Sequence, residues 1–166
     1  GIDVLHVVLK PGSLRQNLVF LRLLEELKTA GSRSGEINLD LARAVLTALE
    51  RKMYYHLELD AAWPVRDRKR LARLSREVLP ELAAAIEAYA AELRREWLKA
   101  ARPFGLEVQQ IRLAGAVARA RETALRIDEF LSGSIPTIPE LEAVPEPPWP
   151  YEPIPYAQVA TASSIL

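Results

Sequence analysis

Four residues around a break between two amphipathic segments carry the side-chain types best suited to recognition: Trp97, Phe104, Glu107 and Arg112. Indole and phenyl rings offer flat apolar platforms that suit sugar faces, while a carboxylate and a guanidinium suit hydroxyl groups and bidentate contacts. The same four residues also suit a corner between two helices closed by a Glu107–Arg112 ion pair. His56, beside Tyr54 and Tyr55, has the chemistry of an acid–base or sugar-contacting group, or of a histidine packed on a helix. Arg66, Arg68, Lys69, Arg70, Arg73 and Arg76 place six cations within eleven residues, opposed in that window only by Asp67. Such a run can dock phosphates, but no aromatic residue interrupts it, and Leu71 and Leu74 commit one face of the same helix to a core. A solvated face paired with neighbouring acids is the simpler reading.

Composition removes several classes of chemistry. Twenty-two basic and twenty-two acidic side chains cancel, so no global field draws the chain to nucleic acid or anionic lipid. Cysteine is absent, which excludes disulfides and thiolate catalysis. The two histidines, His6 and His56, stand 50 positions apart without a spaced carboxylate partner, so no metal site and no cofactor is expected. No apolar run reaches the ~20 residues of a membrane span, and no basic stretch followed by an apolar segment reads as an export signal. The expected compartment is cytoplasmic rather than secreted.

The elements that must position these residues are helices. Residues 1–12 read as an extended arm ending at Lys10-Pro11-Gly12. A first helix follows Ser13, with Leu14, Leu18, Leu21, Leu24 and Leu27 on one stripe and Gly31 as its stop. A second begins after Asn38, with the stripe Leu41, Ala42, Val45, Leu49, Met53 and Leu57, and ends at Trp63-Pro64. A third starts near Asp67 and presents Leu71, Leu74, Val78, Leu82, Ile86, Tyr89, Leu93 and Trp97. Pro80 lies inside that stretch, so a kink, or a new helix with Pro80 in its first turn, is expected. Pro103 and Gly105 break the chain, and a fourth helix carries Leu113, Val117, Ala120, Ala124, Ile127 and Leu131 up to Gly133. Eight of the twelve prolines fall between residues 135 and 156, which predicts an extended tail. The expected fold is all-α: an antiparallel bundle of four or five helices over residues 13–133, with a proline-rich tail over 134–166.

The run Trp97-Leu98, Pro103-Phe104-Gly105-Leu106-Glu107-Val108, Ile111-Arg112-Leu113 and Gly115, followed by Phe130-Leu131-Ser132-Gly133-Ser134-Ile135, Ile138 and Glu140-Leu141-Glu142, resembles a known pattern. It is similar to the C-terminal helical region of bacterial β-N-acetylhexosaminidase-type enzymes of glycoside hydrolase family 20, over residues 40 to 142. The resemblance implies a parent enzyme that removes terminal N-acetylhexosamine residues by substrate-assisted hydrolysis, without metal or organic cofactor. Within such a parent this chain is a non-catalytic accessory domain that packs on the catalytic domain or on a second subunit, reaching carbohydrate only through the parent. Enzymes of this kind use an adjacent Asp–Glu pair, the Glu as general acid and the Asp to orient the substrate acetamido group. Asp128-Glu129 has that composition but falls inside a predicted helix, whereas the catalytic pair is expected at the end of a barrel strand. It reads as a solvated helix face. The alternative function is a stand-alone helical interaction module whose tail aromatics, Trp149, Tyr151 and Tyr156, dock onto a partner. The accessory-domain reading predicts self-association through the junction and the tail, whereas a monomer would favour the stand-alone module.

Overall fold

Pro80 dictates the form of the central helix. Proline lacks the N–H that an α-helix requires at an interior position, and its ring collides with the preceding turn. In the computed structural model, which describes Glu26 and residues 39–142, the chain meets this by widening the turn just before it. The elements are α1 (Leu39–Ala62), α2 (Arg68–Arg73), a π-helical turn (Leu74–Val78), α3 (Leu79–Ala100), α4 (Leu106–Ser132) and the single-turn α5 (Pro139–Glu142). Helix α2, the π turn and α3 follow one another without a break. At their seam Leu79 N–H donates to the Leu74 carbonyl, five residues back, and Pro80 sits in the first turn of α3. Pro80 thus sits in a first turn, as one expected outcome has it, but without the break that outcome included. The predicted first helix, the arm and the tail beyond residue 142 lie outside the described residues, apart from Glu26, which is helical.

Local chemistry sets the other boundaries. The Asp67 carboxylate caps α2 by accepting from the backbone N–H groups of Lys69 and Arg70, each at 3.1 Å. Helix α1 ends at Ala62, immediately before Trp63-Pro64, as the proline predicts. Gly105 precedes α4 with φ 89°, and Gly133 follows it with φ 81°.

Ion pairs reveal the packing directions. From α1 to the central helix, Asp40 meets Arg95 at 3.6 Å, Arg51 meets Glu81 at 3.0 Å and Glu58 meets Arg73 at 3.0 Å. One set of numbers rises as the other falls, so the two helices are antiparallel. Likewise Glu87 meets Arg121 at 2.7 Å and Ser75 meets Asp128 at 2.7 Å between the central helix and α4. These ion pairs are solvent-exposed and contribute little energy each. The stabilisation comes from what lies beneath them.

Leu71, Leu74, Leu79, Leu82 and Ile127 are fully buried, with Val78, Ile86, Val117 and Ala120 around them. Each buried aliphatic side chain removes enough apolar surface from water to contribute about 1.5–3 kcal/mol. The stripe expected for the central helix is therefore the core over its N-terminal two thirds, while Leu93 and Trp97 near its end are only half-buried. The stripe expected for α1 needs a correction. Leu57 is 60% exposed, and the side chains turned inward include Tyr55, Leu59 and Ala62 along with Ala48 and Met53. Among the described residues the fold contains helices and no strand.

The start of the proline-rich segment is not wholly extended. Pro139 opens the short helix α5, Ile138 is 3% exposed within the core, and Ile135 and Leu141 pack against it. Arg66 ties this turn down by pairing with Glu142, while its guanidinium lies 3.8 Å from the Trp63 ring and donates to the Trp63 carbonyl. Trp63 is buried and meets Phe130 edge-on at 5.1 Å. Arg66 has φ 50°, a conformation non-glycine residues adopt at some cost, and these contacts hold it there.

Two substitutions separate core from surface. Leu82→Ala is expected to lower unfolding free energy by about 2–5 kcal/mol, whereas Leu57→Ala changes it by under ~0.5 kcal/mol. Urea titration followed by circular dichroism measures both, and a large loss at Leu57 would place the core on the wrong face of α1.

Candidate functional site

At the junction between α3 and α4, three backbone and side-chain features lock the turn. Trp97 Nε1 donates to the Arg102 carbonyl at 2.9 Å, and Leu106 N–H donates to the Pro103 carbonyl at 3.0 Å. Gly105 takes up a left-handed φ, and a Cβ added there would stand 3.3 Å from Trp97 Cζ2. The indole thus closes over the glycine and is half-buried in doing so. Leu106 turns into the protein, while Phe104 is 80% exposed. Nearby on the chain, Ile111 is 68% exposed and Leu98 40%.

The four junction residues do not form one polar site. Trp97 is engaged with the turn, Phe104 faces solvent, Glu107 is exposed and Arg112 is half-buried one and a half turns along α4. Five positions on an α-helix rotate through about 500°, so Glu107 and Arg112 face different directions. No ion pair joins them among the described residues.

Asp128 and Glu129 are both exposed on α4. The Asp128 carboxylate accepts from Ser75 Oγ at 2.7 Å, and Glu129 is paired with Arg126 at 2.9 Å. Adjacent helix positions diverge by about 100°, so the two carboxylates do not converge on a common substrate atom. They are surface partners of neighbouring side chains. In the basic run, Arg66 pairs with Glu142, Arg68 donates to the Leu131 carbonyl, Arg70 pairs with Asp67 and Arg73 bonds both Tyr54 and Glu58. Four of its six cations are thereby spent on the fold itself.

One cleft that joins apolar and polar groups was not legible as a unit in the sequence. A cleft of about 150 Å³ opens between α1, α3, α4 and α5, with Leu79, Leu82, Ala120 and Ile138 as its apolar floor. Tyr55, His56, Arg119, Thr123, Arg126 and Glu140 supply its polar lining. Burial pushes the Tyr55 phenol up to about 12, against the pull of Arg119 and the Thr123 hydroxyl. Burial also lowers the His56 pKa, reinforced by the Lys52 charge and opposed by Asp60. His56 Nε2 is enclosed and makes no hydrogen bond. Only His56 and its tyrosine neighbours stood out in sequence; their partners come from segments more than sixty residues away. Among the described residues no cluster of His, Asp and Glu is arranged to hold a metal, and no helix is long and apolar enough to cross a membrane.

Among the described residues the chain is an all-helical bundle whose most exposed aromatic, Phe104, sits at the corner between α3 and α4. The family model described as the glycoside hydrolase 20C C-terminal domain matches residues 13–158, and the chain belongs to that family. The match exceeds the resemblance seen in sequence at both ends, running back over the predicted first helix and forward through most of the proline-rich segment. No curated protein and no solved structure matches the chain.

Two measurements follow from these geometries. Gly105→Ala adds a side chain at positive φ against the Trp97 ring and is expected to cost about 1–3 kcal/mol. Gly133→Ala meets no atom within 4 Å and bears only the backbone penalty, so it should cost less. Thermal unfolding of the two variants tests the order. For His56 the folded state holds its proton less firmly than the unfolded chain, whose value is 6.5, so stability is lost as pH falls below 6.5 towards the lowered folded value. His56→Gln is expected to flatten this dependence. Denaturant midpoints taken from pH 7.5 to 5 compare the two slopes, and parallel curves would contradict it.

Proposed function

We propose that the chain serves as the non-catalytic C-terminal accessory domain of a glycosidase that releases terminal N-acetylhexosamine residues by substrate-assisted hydrolysis. Its part is to dock on the parent catalytic domain or on a second subunit, with the α3–α4 corner as the contact. The observation that carries the docking role is Phe104, 80% exposed at the tip of a turn that is otherwise tightly bonded. A phenyl ring held in water by a rigid turn contributes nothing to the bundle, and covering it removes apolar surface from solvent. Ile111 and Leu98 extend the apolar character on the flanking helices. Trp97 acts as the brace beneath the corner, while Glu107 and Arg112 supply polar contacts at its edge. Family membership supports the assignment to a glycoside hydrolase.

Two experiments test this reading. The isolated chain is expected to give no turnover of chromogenic N-acetylglucosaminide or N-acetylgalactosaminide. Turnover that disappears on replacing Asp128 or Glu129 would refute the accessory role. In light scattering at micromolar concentration the chain is expected to self-associate, and Phe104→Asp to shift it towards the monomer. A monomeric wild-type chain would instead favour the stand-alone module.

A further inference from the structure

The cleft beside His56 contains a cation with nothing to hold. Arg126 is committed there, bonded to Glu129 at 2.9 Å and within 3.6 Å of Glu140. Arg119, about two turns earlier on α4, lines the same cleft half-buried, and its guanidinium makes no hydrogen bond or ion pair among the described residues. Its charge acts on both Tyr55 on α1 and Glu140 on α5, which line the same cleft. His56 on α1 also lines the cleft, and its Nε2 is enclosed and equally without a hydrogen-bond partner. A partly dehydrated guanidinium over an apolar floor gains more from an anion than a surface cation does, because solvent screens it less. The cleft volume of about 150 Å³ accommodates a few waters or one small polyatomic anion.

The geometry points to this cleft as a binding site for a small oxyanion, carboxylate or inorganic phosphate, held by the Arg119 guanidinium with His56 Nε2–H and the Tyr55 hydroxyl as further donors. The fork of guanidinium N–H groups matches two oxygens of such an anion, and the neutral imidazole donates as its Nε2–H tautomer. Glu140, which also lines the cleft, and the Glu129–Arg126 pair beside it disfavour large ligands. The site is separate from the junction corner and does not depend on the parent's catalytic role.

Proton NMR of the histidine ring resonances provides the test, with His6 as the internal comparison. The chain is titrated with sodium phosphate and, separately, with sodium acetate, each against sodium chloride of equal ionic strength. A saturable shift of the His56 resonances is expected with at least one oxyanion at millimolar concentration and not with chloride. Saturation by acetate alone assigns a planar carboxylate, by phosphate alone a tetrahedral anion, and either supports the site. Arg119→Gln is expected to weaken the response by about tenfold or more, with Arg119→Lys intermediate because it keeps the charge and loses the fork. Arg121→Gln, which removes an outward cation paired with Glu87, is expected to respond as the wild type. If Arg119→Gln does not fold by circular dichroism, the loss is read from Arg119→Lys. Immobile His56 resonances in both titrations, an equal shift with chloride, or an Arg119 variant that responds like the wild type would overturn the proposal.

Discussion

Everything in the bundle is arranged around one missing hydrogen. Because Pro80 cannot donate, the central helix cannot pass through it with uniform α geometry, and the chain inserts an extra residue in the turn from Leu74 to Val78. That insertion has a packing consequence. The core positions Leu74, Val78, Leu82 and Ile86 follow at steps of four, and in a straight α-helix each such step drifts by about 40° around the axis. A wider turn with more residues per revolution takes back part of that drift. Leu71 before the insertion, Leu74 at its start, and Leu79 and Leu82 after it all reach full burial within the core shared with α1 and α4.

The turn also redirects polar groups. Ser75, within the π segment, is buried, and its single hydroxyl hydrogen is shared between Asp128 on α4 at 2.7 Å and the Ala72 carbonyl at 3.1 Å. A serine facing inward is tolerable only when its hydrogen-bonding capacity is met, and here one oxygen serves its own helix and the neighbouring one. The pair Asp128–Glu129 thus has a structural explanation for each member: Asp128 anchors the π turn and Glu129 steadies Arg126.

Among the described residues the existence and type of the long helices were legible from periodicity, and so were the stops at Trp63-Pro64 and Gly133. The family was legible from the junction and the run after Phe130, and the family match confirms it. What could not be read were choices between two faces that both carry apolar residues. Helix α1 has leucines on either side, and the sequence alone does not say that Tyr55 and Leu59 turn inward while Leu57 stays in water. The half-burial of Leu93 and Trp97 likewise depends on how far the neighbouring helices extend alongside. Nor does periodicity predict that Ile138 and Leu141 return to the core, since prolines on both sides argue for extended chain; Pro139 instead begins a single turn of helix. The cleft was invisible for a simpler reason: its polar groups are distributed over α1, α4 and α5 and meet only in three dimensions.

The bonded turn between α3 and α4 has a kinetic meaning as well. Only five residues separate the two helices, and closing so short a loop costs far less chain entropy than joining elements distant in sequence. Trp97 can find Arg102 and Gly105 as soon as the two helix ends form, so this hairpin is favoured to assemble before α1 docks on it. The contact between Arg66 and Glu142 spans 76 positions and gains its partners only after the bundle exists. By this argument assembly is favoured to run from the corner towards the α5 turn, and among the described residues the α5 side of the cleft is the part expected to exchange with solvent early.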